Sequence, residues 1–326
     1  MTAATTALRT NQPIFLTLKE PSRSQPEGKP ETPRPGGDAV FVILNPAARS
    51  ERARGLREKI QALDPDTVIR LTGGPGDAAA LAREAAEAGY RTVVAAGGDG
   101  TINEVVNGLA GSDVCLGLLP LGTMNVFAAE LGIPGNRLKR CWEIIRAGHV
   151  RRVDLARANS HYFVQLAGIG FDAQAVAGVD WAAKKSLGPL SYVISAAKVC
   201  ARKPPVLRVE AEGRTWEGSF VLVGNGRYYG GPVAVFKQAV IDDGKLDVLV
   251  LKKQGHLDII RYIQHAIMGT HLKLRDVDYF QTDNLVVSSA SGEDIPFEAD
   301  GELIGYAPVT IQVGKDQLRV LAPPAR

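Results

Sequence analysis

The sequence predicts two domains of different class, an α/β unit built on a parallel sheet and then a mostly antiparallel β unit. Three observations carry this. From Ala39 to about Val153, apolar runs of strand length alternate with segments of helical spacing, the pattern of a parallel sheet with helices on its faces. From about Asp154 onward the apolar runs are short and separated by turn residues, as in a β-sandwich or split barrel. The chain, at 326 residues, is long enough to build two cores. The expected division is a disordered tail over 1–38, rich in Thr, Pro, Ser and Gly, an α/β domain over 39–155 and a β-sandwich domain over 156–326. The last strand is a candidate to return to the first domain.

The elements follow in order. Ala39–Leu44 reads as a buried strand ending at Asn45-Pro46, and Arg52–Leu63 as a helix. Thr67–Leu71 is a second strand, and Asp77–Ala88 an alanine-rich helix with Asp77 as its expected cap. Thr92–Ala95 is the third strand, Val114–Leu119 the fourth, and Leu138–Ala147 a further helix. In the second domain, strands are expected at Tyr162–Ala167, Val206–Ala211, Trp216–Val223, Leu246–Leu251, Asn284–Ser289 and Val309–Val313. Helices are expected at Ser191–Ala201 and Leu257–Met268.

Composition narrows the class. No apolar stretch approaches the ~20 residues of a membrane span, and no N-terminal apolar segment predicts a secretory signal. Cys115, Cys141 and Cys200 are far apart and lack metal-ligand spacing, which suggests buried thiols in a reducing compartment. A net charge of +3 argues against a dedicated nucleic-acid binder.

The chemistry concentrates at Ala96-Gly97-Gly98-Asp99-Gly100-Thr101-Ile102-Asn103-Glu104, where the third strand feeds a helix. Glycines let backbone N–H groups approach a ligand, and a helix N-terminus favours an anion, so this is a place to hold phosphate. Asp99 would repel a bare phosphate and makes sense as a metal ligand or as an acid or base. Glu104 also suits a helix N-terminus electrostatically. Asn45, Thr72, Gly97–Asn103 and Thr123 all fall at predicted carboxyl ends of strands, where ligands of such sheets bind. There is no Gly-x-x-x-x-Gly-Lys-[Ser/Thr] loop and no protein-kinase signature set.

Gly97–Leu109 resembles the nucleotide-binding signature of the diacylglycerol kinase catalytic domain family, which includes bacterial lipid kinases and is related to sphingosine and ceramide kinases. Leu118-Leu119-Pro120-Leu121-Gly122-Thr123-Met124-Asn125-Val126-Phe127, followed by Leu131-Gly132-Ile133-Pro134, is similar to a second family segment. Val126 stands where the family usually has Asp. The resemblance runs from about Val40 to the C-terminus. It implies a Rossmann-like α/β domain, a β-sandwich domain and an active site in the cleft between them.

The resemblance also implies roles. Asn45, Thr72, Gly97, Gly98, Asp99, Gly100, Thr101, Ile102, Asn103, Gly122, Thr123 and Asn125 would bind the nucleotide. Phe297-Glu298-Ala299-Asp300-Gly301-Glu302 resembles the family's Asp-Gly-Glu motif, which makes Glu302 the expected base for the acceptor hydroxyl, with Asp300 its competitor. Read by itself, Asp300-Gly301 is a hairpin turn. Ile241–Asp247 is similar to a segment that binds Mg²⁺ through the Asp243 side chain and the Val240 and Lys245 carbonyls, and oxygen ligands suit that ion. A hairpin turn is the competing reading. Gly168-Ile169-Gly170-Phe171-Asp172-Ala173 fits a dinucleotide fingerprint, but lacks the acidic strand end about 20 residues on.

The expected activity is ATP- and Mg²⁺-dependent phosphorylation of a lipid hydroxyl, diacylglycerol first, with a sphingoid base, ceramide or an isoprenoid alcohol as alternatives. NAD kinase and a catalytically silent nucleotide-binding regulator are the competing classes. The basic and apolar stretches Lys184–Ile194 and Ala196–Lys203, and the basic run Arg137–Arg152, suit anionic lipid heads. A cytoplasmic enzyme with peripheral membrane association is expected, its partner a lipid at the membrane surface. No nucleic-acid partner is expected, and the oligomeric state is left open, a homodimer included.

Overall fold

The computed structural model describes residues 39–46, 53–171, 173–174, 204–231 and 233–324. The tail expected over 1–38, the helix expected over 191–201 and the basic stretches 184–194 and 196–203 lie outside them.

The first domain builds as the alternation predicts. Strands β1 (Val40–Leu44), β2 (Val68–Leu71), β3 (Thr92–Gly97) and β4 (Cys115–Pro120) pair in parallel in the order β2-β1-β3-β4. All of β1 is buried, because helices on both faces leave a parallel strand no solvent side. The helices are α1 (Ala53–Leu63), α2 (Asp77–Glu87), α3 (Asp99–Leu109), the short α4 (Val126–Glu130) and α5 (Leu138–Ala147). Helix α2 buries Ala78, Ala82 and Ala85, and α3 lies close against it at Gly108, where a Cβ would stand 2.5 Å from the Ala79 carbonyl oxygen. Asp77 does not cap α2. Gly76 holds that position, and Asp77 Oδ2 instead accepts the N–H groups of Gly73 and Gly74, closing the glycine loop. Glu104 on α3 accepts the Ala78 N–H, so it caps α2 rather than its own helix.

The remaining strands are β5 (Val150–Ala158), β6 (His161–Phe163), β7 (Leu166–Ile169), β8 (Leu207–Ala211), β9 (Arg214–Gly218), β10 (Phe220–Gly224), β11 (Tyr228–Tyr229), β12 (Val233–Ala234) and β13 (Leu246–Leu251). After helix α6 (His256–Met268) come β14 (Val277–Thr282), β15 (Asn284–Ser289), β16 (Pro296–Ala299), β17 (Glu302–Tyr306) and β18 (Val309–Leu321). The antiparallel sheet runs β14-β13-β10-β7-β16-β17. It packs one face on β8, β15 and β18 through a core containing Phe163, Val209, Val223, Val248, Leu285, Phe297 and Ile311. Its other face carries Leu222 and Leu249, which pack with Phe236 and with Tyr262 of α6.

The parallel sheet does not end at β4. The far half of β18 pairs in parallel with β4, Arg319 opposite Cys115 and Val320 opposite Leu116, while its near half pairs antiparallel with β15. Strand β5 runs antiparallel along both halves, from Val150 opposite Leu321 to Ala158 opposite Ile311. One sheet therefore continues from the α/β layer into the sandwich. The register shifts between Val313 and Gln317, where Gly314, Lys315 and Asp316 are exposed. Those polar residues read as the end of a strand in the sequence, but they are an irregularity within one.

Two expected strands are divided in the structure. Tyr162–Ala167 covers the end of β6 and the start of β7, and Trp216–Val223 breaks at Ser219, whose N–H donates to the Leu251 carbonyl.

Candidate active site

The turns after β1, β3 and β4 meet at one edge of the parallel sheet. Asn45 Nδ2 donates to Thr101 Oγ1 at 2.9 Å, tying the end of β1 to the first turn of α3. Thr72 lies at the same edge, after β2, its N–H donating to the Leu44 carbonyl. The Leu121 N–H donates to the Gly97 carbonyl at 2.8 Å, joining the β3 and β4 turns.

Absent side chains permit the closest approach. A Cβ on Gly122 would stand 2.7 Å from the Gly98 Cα, so the two turns touch backbone to backbone. Asn125, at φ 49°, clamps its own loop: Oδ1 accepts the Gly122 N–H and Nδ2 donates to the Gly122 carbonyl, both at 2.9 Å. Its side-chain amide thereby holds the turn. Thr123 on the same loop is exposed.

Asp99 opens α3 and reaches across to α4, where Oδ1 accepts the Val126 N–H at 2.7 Å. Burial pushes its carboxyl above the ordinary range, the Val126 N–H pulls it back, and the nearby Asp300 carboxylate adds to the rise. The replacement of the usual Asp by Val126 leaves this bond intact, because the backbone makes it.

The opposite wall is the hairpin between β16 and β17. Asp300 and Gly301 both have positive φ, 48° and 85°, and Ala299 pairs with Glu302, so this is a two-residue turn with the Asp-Gly signature. The Asp300 carboxylate accepts four hydrogen bonds: from the N–H groups of Val164, Gln165 and Leu166 and from Asn103 Nδ2, at 2.9 to 3.0 Å. Asp300 thus anchors the hairpin. Burial pushes its carboxyl up against those donors. Glu298 Oε2 accepts the Gly301 N–H at 2.7 Å and fixes the same turn. Glu302 follows, and a Cβ on Gly100 would stand 2.8 Å from its Oε1. Two domains thus bring a carboxylate onto the N-terminal turn of α3.

Three other residues expected to bind the nucleotide have partners within the protein. Ile102 is buried in the α/β core, and its N–H donates to the Gly98 carbonyl. The Thr101 hydroxyl is the partner of Asn45. Asn103 is buried, and besides Asp300 its Oδ1 lies 3.0 Å from His161 Nε2, which as a donor requires the Nε2–H tautomer. Burial lowers the His161 pKa, favouring that neutral ring. The sequence reading missed His161 and also Glu130. The buried Glu130 carboxylate accepts both the Arg227 backbone N–H and its Nε at 2.8 Å, tying α4 to the strand region before β11. A lone acid within the apolar run Phe127–Ile133 was the available signal for it.

The expected Mg²⁺ segment is a self-contained turn. Asp243 Oδ1 accepts the Lys245 N–H at 3.0 Å, and the Asp243 N–H reaches the Val240 carbonyl at 3.4 Å. Two of the three expected ligands thus spend an oxygen on the turn. Among the described residues, no group of three or more His, Cys, Asp or Glu is arranged to hold a metal ion.

Residues 39–158 match the family model for the diacylglycerol kinase catalytic domain, and residues 165–322 match the YegS C-terminal NAD kinase beta sandwich-like domain. The diacylglycerol kinase of Bacillus subtilis is 31% identical over 276 residues, covering 82% of this chain and 90% of that protein. The chain belongs to the diacylglycerol kinase family. It is a lipid kinase by that membership. A further relative, the diacylglycerol kinase of Staphylococcus carnosus, is 30% identical over 291 residues, covering 86% of this chain and 94% of its own. A solved structure of a Bacillus anthracis diacylglycerol kinase superposes with a TM-score of 0.73 at 27% identity, covering 88% of this lipid kinase and 98% of that chain. No helix among its described residues is long and apolar enough to cross a membrane.

Proposed function

We propose that this lipid kinase transfers the γ-phosphoryl group of ATP to the free hydroxyl of diacylglycerol, giving phosphatidic acid, in the cytoplasm at a membrane surface. The observation that carries the reading is the meeting of Glu302 with the N-terminal turn of α3 at Gly100. Phosphoryl transfer needs positioning and electrostatic stabilisation more than covalent help. Gly97, Gly98 and Gly100 offer backbone N–H groups to the phosphates, and the dipole of α3 favours their charge. The exposed Thr123 hydroxyl faces solvent from the adjoining turn and donates to the same nucleotide. Thr72 marks the outer limit of that edge. Glu302 accepts the proton of the attacking hydroxyl. Its neighbour Asp300, held by four donors, fixes where that carboxylate stands.

Mg²⁺ fits this donor set. It takes oxygen ligands and needs only one or two carboxylates when phosphates and water supply the rest. Asp99 would hold it with phosphate oxygens and water, and it would neutralise phosphate charge. Diacylglycerol is preferred over other lipid alcohols because both relatives compared above are named for it.

The test is transfer from γ-labelled ATP with Mg²⁺ to diacylglycerol, ceramide, sphingosine, undecaprenol and NAD in mixed micelles. Asp99→Asn and Glu302→Gln run beside the wild type. Label on diacylglycerol that falls at least about a hundredfold in Glu302→Gln supports the reading. Label on another lipid only, or undiminished label in both variants, sinks it.

A further inference from the structure

Helix α6 carries its apolar residues on the wrong side for a globular surface. Its only fully buried residue is Tyr262, with Ile259 and Ala266 partly covered beside it. The opposite face exposes Leu257 (82%), Ile260 (52%), Ile263 (54%), Ile267 (67%) and Met268 (61%). At 100° per residue these five span roughly 140° of the helix, interrupted by His256 and Gln264 and bordered by Arg261. An ordinary surface helix would place charges there. Exposed Leu272 extends the patch past the helix end.

The charge around this stripe has a basic surplus, since Asp258, Asp276 and Asp278 beside it are paired with Arg261, Lys253 and Lys252. Lys237 and Lys273 are exposed toward its C-terminal end and Arg275 farther along its flank, and none forms an ion pair among the described residues. Lys253 and His256 are exposed at the other end. A two-fold copy laid on the stripe would bring a second set of the unpaired cations Lys237, Lys273 and Arg275 to the contact, while the neighbouring acids Asp258, Asp276 and Asp278 are already paired. An anionic bilayer meets the basic rim with opposite charge and the stripe with acyl chains. The patch also connects to the active site. The β11–β12 hairpin lies between α4 and α6, and a Cβ on its Gly231 would stand 2.9 Å from Cε of Met124, itself 45% exposed beside Thr123.

We propose that the outward face of α6 is the surface on which this kinase docks to an anionic lipid bilayer, with Leu257, Ile260, Ile263, Ile267 and Met268 entering the headgroup–acyl boundary. The proposal rests on the reading of the acceptor as a membrane lipid. Docking there brings the Met124 loop toward the membrane.

The experiment is cosedimentation of the full chain with vesicles of phosphatidylglycerol and phosphatidylcholine, and with phosphatidylcholine alone. The urea midpoint and turnover on a monomeric short-chain diacylglycerol serve as fold controls. Ile263→Ser/Ile267→Ser should weaken vesicle binding about tenfold or more, as lost acyl-phase burial requires, with soluble-acceptor turnover unchanged. Lys273→Gln/Arg275→Gln should weaken binding to anionic vesicles about tenfold and leave neutral vesicles unaffected. Vesicle affinity unchanged in the isoleucine variant overturns the proposal. So does a wild-type dimer that this variant converts to monomer with vesicle binding intact. Vesicle binding that depends on α6, without phosphorylation of diacylglycerol in either form, would remove the acceptor assignment and uphold the docking face.

Discussion

The side-chain amide of Asn103 donates to the carboxylate of Asp300 at 2.9 Å, across 197 positions of sequence. This bond joins α3 of the α/β domain to the hairpin that carries Glu302. Each partner is held from behind as well, Asn103 by His161 and Asn107, Asp300 by three backbone N–H groups. The relative position of the glycine turn and Glu302 is therefore set by a buried polar network rather than by apolar contact alone.

Asn103→Leu should lower stability by about 1–3 kcal/mol, since Asp300 loses a donor in a buried setting. It should also lower kcat more than it raises the KM for ATP, because the hairpin bearing Glu302 loosens. Urea midpoints and steady-state kinetics measure the two effects. A rise in KM alone would mean that Asn103 serves the nucleotide directly.

Asp300→Ala should cost about 3 kcal/mol or more, because the Val164, Gln165 and Leu166 N–H groups lose their acceptor. Turnover measured well below the melting range should fall with it. Asp300→Asn keeps two of the contacts and should fall between this variant and the wild type in thermal midpoint.

Gly100→Ala and Gly122→Ala separate the roles of two glycines. At Gly100 the new methyl meets the end of a flexible side chain, Glu302 Oε1, so the fold should survive with a change within about 1 kcal/mol. Turnover should drop about tenfold or more as the carboxylate is displaced. At Gly122 the methyl meets the Gly98 Cα at 2.7 Å and Asn125 Oδ1 at 2.8 Å, and backbone must shift. That change should cost about 1–3 kcal/mol and weaken ATP binding, as read by calorimetry.

Asp99→Asn should part stability from activity through pH. The folded Asp99 carboxyl lies above its ordinary value of 3.8, chiefly through burial. The folded state thus binds this proton more tightly than the unfolded chain does. The group's contribution to stability is full below the unfolded pKa and is lost as pH rises through the folded one. Asparagine has no charge to bury, so the variant should gain stability relative to wild type between acidic and neutral pH while losing turnover. Urea midpoints at about pH 4 and pH 7 test this; parallel curves would contradict the burial argument.

The alternating half of the fold was legible because periodicity is loud there. Leu138–Ala147 is the α5 helix residue for residue, and β1 to β4 sit within two residues of their expected ends. Strands β14 and β17 were missed because polar residues interrupt them, as in Val277-Asp278-Tyr279-Phe280-Gln281-Thr282. At the site, residue type pointed to the right loops but not to the partners. Asn103 and Asn125 stand in motifs that resemble a nucleotide signature and Asp300 in one that resembles a catalytic motif, and the structure joins Asn103 to Asp300 and the others' polar groups to the backbone. Spacing along a chain cannot tell a side chain that holds a loop from one that holds a ligand. Glu130 and His161 lacked any repeated pattern, and only tertiary packing gives them partners.

Strand β18 has a mechanical consequence. A 13-residue strand hydrogen-bonded to β4 at one end and β15 at the other, with β5 alongside, is a beam with one joint, at Gly314–Asp316 where the pairing shifts. Enzymes that clamp two lobes around a nucleotide bend at a few linker residues. Here the ladder along β5 is continuous on either side of Gly314–Asp316, so bending elsewhere along β18 would break its hydrogen bonds, and those three exposed residues are where the α/β layer and the sandwich can flex against each other.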